Sequence, residues 1–119
     1  MSHPARTRRT DHGMVTVEAA VALPALLLVL ALAVGVISTV GAQLRLVDAA
    51  RQVARLAARG EPTDVVEAAG ERAGPRGTTV TIRRDGSRLT VTTRATTRPL
   101  GLLPGIGLQA KAVAESEAP

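Results

Sequence analysis

The sequence predicts an α+β fold: a long N-terminal helix that begins as a membrane span, then a short helix and a small antiparallel sheet of two to three strands. Three observations predict it. Residues 19–44 carry no charge, residues 42–60 have a helical apolar period, and residues 78–96 alternate with a period of two on either side of Asp85-Gly86. As a helix the uncharged run would be roughly 39 Å long, more than the ~30 Å hydrocarbon core of a bilayer. One membrane span, over about residues 19–42, accounts for it. The overall hydrophobic content of 45% is ordinary only because the apolar run is averaged with a polar remainder.

Residues 1–13, "MSHPARTRRTDHG", form a polar segment with Arg6, Arg8 and Arg9 set against Asp11. They read as a basic cytoplasmic leader, since cations next to a span favour the inner side. Arg45, Arg51, Arg55 and Arg59 flank the other end of the span, so the shortness of the leader adds to this assignment.

A long helix is expected over residues 14–60. Beyond Gly41, Leu46, Ala50, Val53 and Ala57 fall on one face, and Arg45, Asp48, Gln52, Arg55 and Arg59 on the other. Gly60 is the expected stop. Pro24 can kink this helix, while Gly35 and Gly41 only weaken it.

Residues 61–119 are expected to form a small extracytoplasmic α+β domain. Asp64 and Glu67 have the spacing of a capping box, and Gly70 or Gly74 can end the helix they start. "TTVTIRRDGSRLTVTTRAT" predicts a hairpin with Asp85-Gly86 as its turn, Ile82 facing Leu89 and Val80 facing Val91. In "LQAKAVAES" a weaker alternation places Leu108, Ala110, Ala112 and Ala114 on one face of a third strand, and the last residues read as frayed. With no aromatic residue, this domain is expected to lean on the long helix or on other subunits.

Composition argues against several functions. Without cysteine there is no disulfide, thiol nucleophile or thiolate metal site. His3 and His12 lie in the polar leader with no catalytic partner placed beside them. The absence of aromatic residues removes base-stacking platforms, and the net charge of +5 is spread over scattered arginines, so nucleic-acid binding is not expected. "GIGLQA", residues 105–110, has dinucleotide-site spacing but precedes a strand instead of following one. No enzyme, cofactor, metal or small-molecule substrate is expected.

Glu18 stands at the mouth of the apolar run, where a carboxylate wants a partner. The pattern Arg8, Arg9, Gly13, Met14, Glu18 and then an apolar run resembles the type IV prepilin signature: a basic leader, a glycine, a cleavage point and a glutamate at the fifth mature position. More specifically, "GMVTVEAAVALPALLLVLALAVG" followed by "LVDAARQVARLAARG" resembles the TadE-like minor pilins or pseudopilins of Tad (Flp-type) pilus systems, and the arginine-rich, lysine-poor usage fits the actinobacterial type. The resemblance covers about residues 8–60. It implies cleavage between Gly13 and Met14 by a prepilin peptidase, pairing of Glu18 with the freed amine of a neighbouring subunit, and assembly with other pilins, TadE-like and TadF-like subunits and the Tad machinery. It also implies a single-pass protein of the cell membrane with its C-terminal domain outside. Two rivals stand beside it: a secreted protein with a signal peptide cut after Ala42, and an unprocessed single-span anchor or regulator.

Overall fold

The computed structural model describes the backbone of residues 5–116 and the side chains of residues 13–116. The side chains of Arg6, Arg8, Arg9, His3 and His12, and residues 117–119 of the end expected to fray, lie outside the described residues, whereas the Ser116 N–H bonds to the Ser87 carbonyl. The order of elements is α1 (Ala5–Ala58), α2 (Thr63–Ala73), β1 (Thr79–Asp85), β2 (Arg88–Thr97), a 3-10 turn (Pro99–Gly101) and β3 (Ile106–Glu115). This is the α+β class that the sequence predicts, with the third strand present. The chain divides into two units, Met1–Val34 and Gly35–Pro119.

The described residues of the first unit are all helix. Helix α1 does not begin after Gly13: its backbone is already helical from Ala5. Arginine and alanine are good helix formers, and one glycine lowers stability by only about 1 kcal/mol relative to alanine, so Gly13 does not stop the helix. Pro24 also lies inside α1 without ending it.

The second unit contains the core. The end of α1 presents Leu46, Ala50, Val53 and Ala57 inward, each at most 1% exposed, and Ala42, Ala49 and Ala54 widen the stripe. Arg45, Asp48, Gln52, Arg55 and Arg59 are exposed, as the helical period requires. Alanines dominate the stripe because the sheet approaches closely, and small side chains let it. Gly60, at φ +82, ends the helix with two bonds, its own N–H to the Ala57 carbonyl and the Glu61 N–H to the Leu56 carbonyl. That pair of bonds is a Schellman cap, and it satisfies carbonyls the helix would otherwise leave open.

Asp64 does not cap α2. Pro62 occupies the cap position at φ −58, no side chain bonds there, and its carbonyl accepts the first helical bond from the Val66 N–H. The preset φ of proline starts the helix early, so Asp64 falls in the first turn and Glu67 lies too far along to complete a capping box. The Asp64 carboxylate there still meets the positive end of the helix dipole. Gly74 ends α2, and Gly70 lies buried inside it.

A Cβ on Gly70 would stand 2.6 Å from Val53 Cγ2 and 2.7 Å from Val80 Cγ2. Both neighbours are β-branched and stiff, so neither can swing away. Gly70→Ala is therefore expected to destabilise the second unit by about 1 kcal/mol net, because overpacking of ~1–3 kcal/mol outweighs the helix-propensity gain of ~1 kcal/mol. Denaturant unfolding of the full chain in detergent checks this; an unchanged midpoint would mean that α2 moves away freely.

The sheet is an antiparallel meander in the order β1-β2-β3. Its inner face carries Leu89, Val91, Ala95 and Ala110 in the core, with Val80, Ile82, Leu108, Ala112 and Ala114 packed against them. The faces are those the sequence predicts, but the hairpin register is not. Ile82 pairs with Val91, Val80 with Thr93 and Asp85 with Arg88, so the two-residue loop is Gly86-Ser87. Gly86 has φ +62 and Ser87 is not left-handed, which is the pattern of a II′ turn with glycine in its first central place. The predicted loop would instead place Asp85 at that position. Moving the loop by one residue shifts the pairing by two, which leaves every side chain on its own face.

Candidate functional site: the mouth and flank of helix α1

Helix geometry places Met14, Glu18 and Val21 on one strip of α1, one turn or less apart, with Val17, Ala22 and Ala25 around them. All are exposed: Met14 at 67%, Val17 at 64% and Val21 at 69%, with Glu18 open to the surroundings as well. Gly13 lies at the head of this strip. A Cβ on it would meet nothing within 4 Å, so packing does not explain the glycine.

From residue 13 to residue 34 the side chains are exposed, apart from the half-buried Ala31. Leu26, Leu27, Leu28, Val29 and Leu30 are each 58–64% exposed. A helix so apolar on every side, with none of its faces buried in the protein, has the character of a membrane span. The segment Gly13–Ala58 is long and apolar enough to cross a bilayer, with a mean hydropathy of 2.8 in its most apolar stretch. One polar group in the run is satisfied within the helix, since the Thr39 hydroxyl donates to the Gly35 carbonyl at 2.9 Å.

Two contacts tie the extension of α1 to the sheet. The Thr93 hydroxyl, fully buried in the core, donates to the Leu46 carbonyl at 2.9 Å, and Gln43 Nε2 donates to the Gln109 carbonyl at 3.0 Å. Thr93 occupies a core position on β2 that its neighbours Leu89, Val91 and Ala95 would suggest for an aliphatic residue. Its role was not legible in the sequence, because its partner lies 47 residues away.

Among the described residues no group of three or more His, Cys, Asp or Glu side chains is placed to hold a metal ion. "GIGLQA" lies at the start of β3, with Gly107 paired to Thr96, so it forms strand and not a phosphate-binding turn.

Comparison with known proteins bears on this arrangement. Residues 13–55, which hold the glycine, the glutamate, the apolar run and most of the amphipathic extension, match the TadE-like proteins. The apoptosis inhibitor Rv3655c of Mycobacterium tuberculosis is 39% identical over 100 residues, covering 84% of this chain and 77% of that protein. No solved structure matches the chain. Helix, glutamate and extension thus coincide with the matched segment, and the similarity to a relative extends over 84% of the chain: the chain belongs to the TadE-like family.

Proposed function

We propose that the chain is a membrane-anchored minor pilin or pseudopilin of a Tad-type pilus or secretion apparatus, cut after Gly13 by a prepilin peptidase. The observation that carries this reading is the apolar helix headed by Gly13, Met14 and Glu18, exposed on every side from residue 13 to 34 apart from the half-buried Ala31. Cutting there would free an α-amine at Met14, one helical turn from Glu18 of its own chain and equally open to Glu18 of a neighbour. A carboxylate near the membrane costs less when paired, and the freed amine is a cation of matching position. Glu18 is the subunit-assembly charge in this reading. Pro24 removes one helical N–H within the span and is the place where the helix can bend against neighbouring helices. The basic leader with Arg6, Arg8 and Arg9 stays in the cytoplasm, and the sheet is exported.

The test is mass spectrometry with co-purification. The membrane-extracted wild type is expected to start at Met14. Glu18→Gln, which keeps shape but removes charge, should be cut normally and co-purify several-fold less with its pilus partners. Normal co-purification of the glutamine variant would return Glu18 to a merely interfacial role, and a chain still starting at Met1 would favour the unprocessed anchor.

A second reading follows from the relative's name, that this chain too inhibits apoptosis; the identity over 84% of the chain favours it. Acting away from its own membrane would require removal of the apolar helix. A signal-peptide cut after Ala42 would take Ala42, which is 6% exposed, out of the core and would separate Gly35 from Pro99. That loss supports the anchored reading. A chain starting at Gln43 that suppresses apoptosis when added to cells would reverse the order.

A further inference from the structure

We infer that the loop between β2 and β3 is a second membrane contact, which inserts its leucines into the outer interface of the bilayer beside α1. The inference rests on the reading of α1 as a membrane span. Between Arg98 and Lys111 the chain carries no charge, and the loop itself reads "PLGLLPGIG". Loops between strands usually carry polar turn residues. Here Leu102 is 90% exposed, Leu100 47%, Leu103 44% and Ile106 42%. Such a cluster on a small domain calls for a covering partner.

The position of the loop identifies the partner. Pro99 is buried, and its Cβ lies 3.4 Å from where a Cβ would stand on Gly35. Gly35 belongs to the uncharged run. Counted from Ala19, about 20 helical residues cross the hydrocarbon core, which ends near Ser38. The loop therefore leaves the fold at a level of α1 that is still within the apolar layer or at its edge. Around Gly35 the helix is itself apolar and exposed, with Val36 at 62% and Ile37 at 71%. The lipid that covers these side chains also reaches the loop, so the loop continues an apolar surface already assigned to the membrane. Arg98, at the start of the loop, is exposed and suited to headgroup phosphates. The chain has no Trp or Tyr to anchor it at the interface, and the leucine loop supplies that anchor.

The absence of aromatic residues makes the test direct, because one introduced tryptophan is the sole indole emitter. Leu102→Trp, Leu27→Trp and Val113→Trp are each made in the full chain and reconstituted in phosphatidylcholine and phosphatidylglycerol vesicles, with or without brominated acyl chains. Leu102→Trp is expected to emit at shorter wavelength than tryptophan in water and to lose most of its emission to bromines near the headgroups. Leu27→Trp should be quenched best by bromines deep in the chains, and Val113→Trp, on the outer face of the sheet, should be unaffected. Quenching of Leu27→Trp without quenching of Leu102→Trp would overturn the loop insertion and leave the span intact. Failure of both would overturn the span and the loop contact with it. Blue-shifted but unquenched Leu102→Trp that reverts when lipid is added in excess would identify a neighbouring subunit as the partner and overturn the proposal. Equal quenching of Val113→Trp would mean that the whole domain adsorbs, and would overturn it too.

Discussion

Gly13→Val is expected to leave the precursor uncut, with the full chain accumulating in the membrane. Helix α1 runs from Ala5 through Gly13, so a peptidase making the proposed cut would have to unwind the backbone there. Glycine weakens the helix at that position by about 1 kcal/mol relative to alanine, and offers no side chain to the enzyme. Valine stiffens the position and adds bulk at the scissile bond. Since a Cβ at Gly13 would meet nothing within 4 Å, the substitution does not disturb packing. Loss of processing would therefore report on the cut itself. The measurement is intact mass of the membrane fraction, wild type against variant. A Gly13→Val chain that starts at Met14 in wild-type yield would remove Gly13 from the processing site.

Leu46→Ala is expected to destabilise the second unit by about 2–5 kcal/mol, the usual range for truncating a fully buried leucine. Leu46 has no exposed surface and lies opposite the sheet, with its carbonyl receiving the Thr93 hydroxyl. For a small domain whose whole stability is about 5 kcal/mol or little more, that loss brings unfolding close to working temperature. Leu44→Ala, two residues earlier on the helix but 61% exposed, should leave stability within about 0.5 kcal/mol. Denaturant titration of both variants in detergent separates them. Equal midpoints would mean that the helix extension and the sheet do not share a core.

The features that were legible in the sequence have a local cause. A run of residues without charge reads directly as a helix that water does not favour, and the period of 3.6 in residues 46–57 names the buried face before any partner is known. The period of two does the same for both hairpin arms and, more faintly, for the alanines of β3. In Gly13, Met14 and Glu18 the candidate site was legible as spacing along a helix, which needs no tertiary contact.

What only the structure decided has two causes, local backbone geometry that the hydrophobic pattern does not carry and contacts between residues far apart in the chain. Gly60 could be read as a stop because its cap is made within one turn, but the start of α2 turned on Pro62, whose fixed φ overrode the capping pattern of Asp64 and Glu67. The hairpin loop moved by one residue because both two-residue loops keep the same faces inward, so the hydrophobic pattern could not choose between them; the turn geometry at Gly86 did. Gly70 looked like a helix end and is a close-packing position, since Val53 and Val80 approach it from two other elements. Thr93 looked like one more strand threonine and makes the buried one of the two bonds that tie the sheet to the helix. Periodicity says which side of an element is buried. What it is buried against follows from how closely two backbones approach, and that distance is set only when helix and sheet meet.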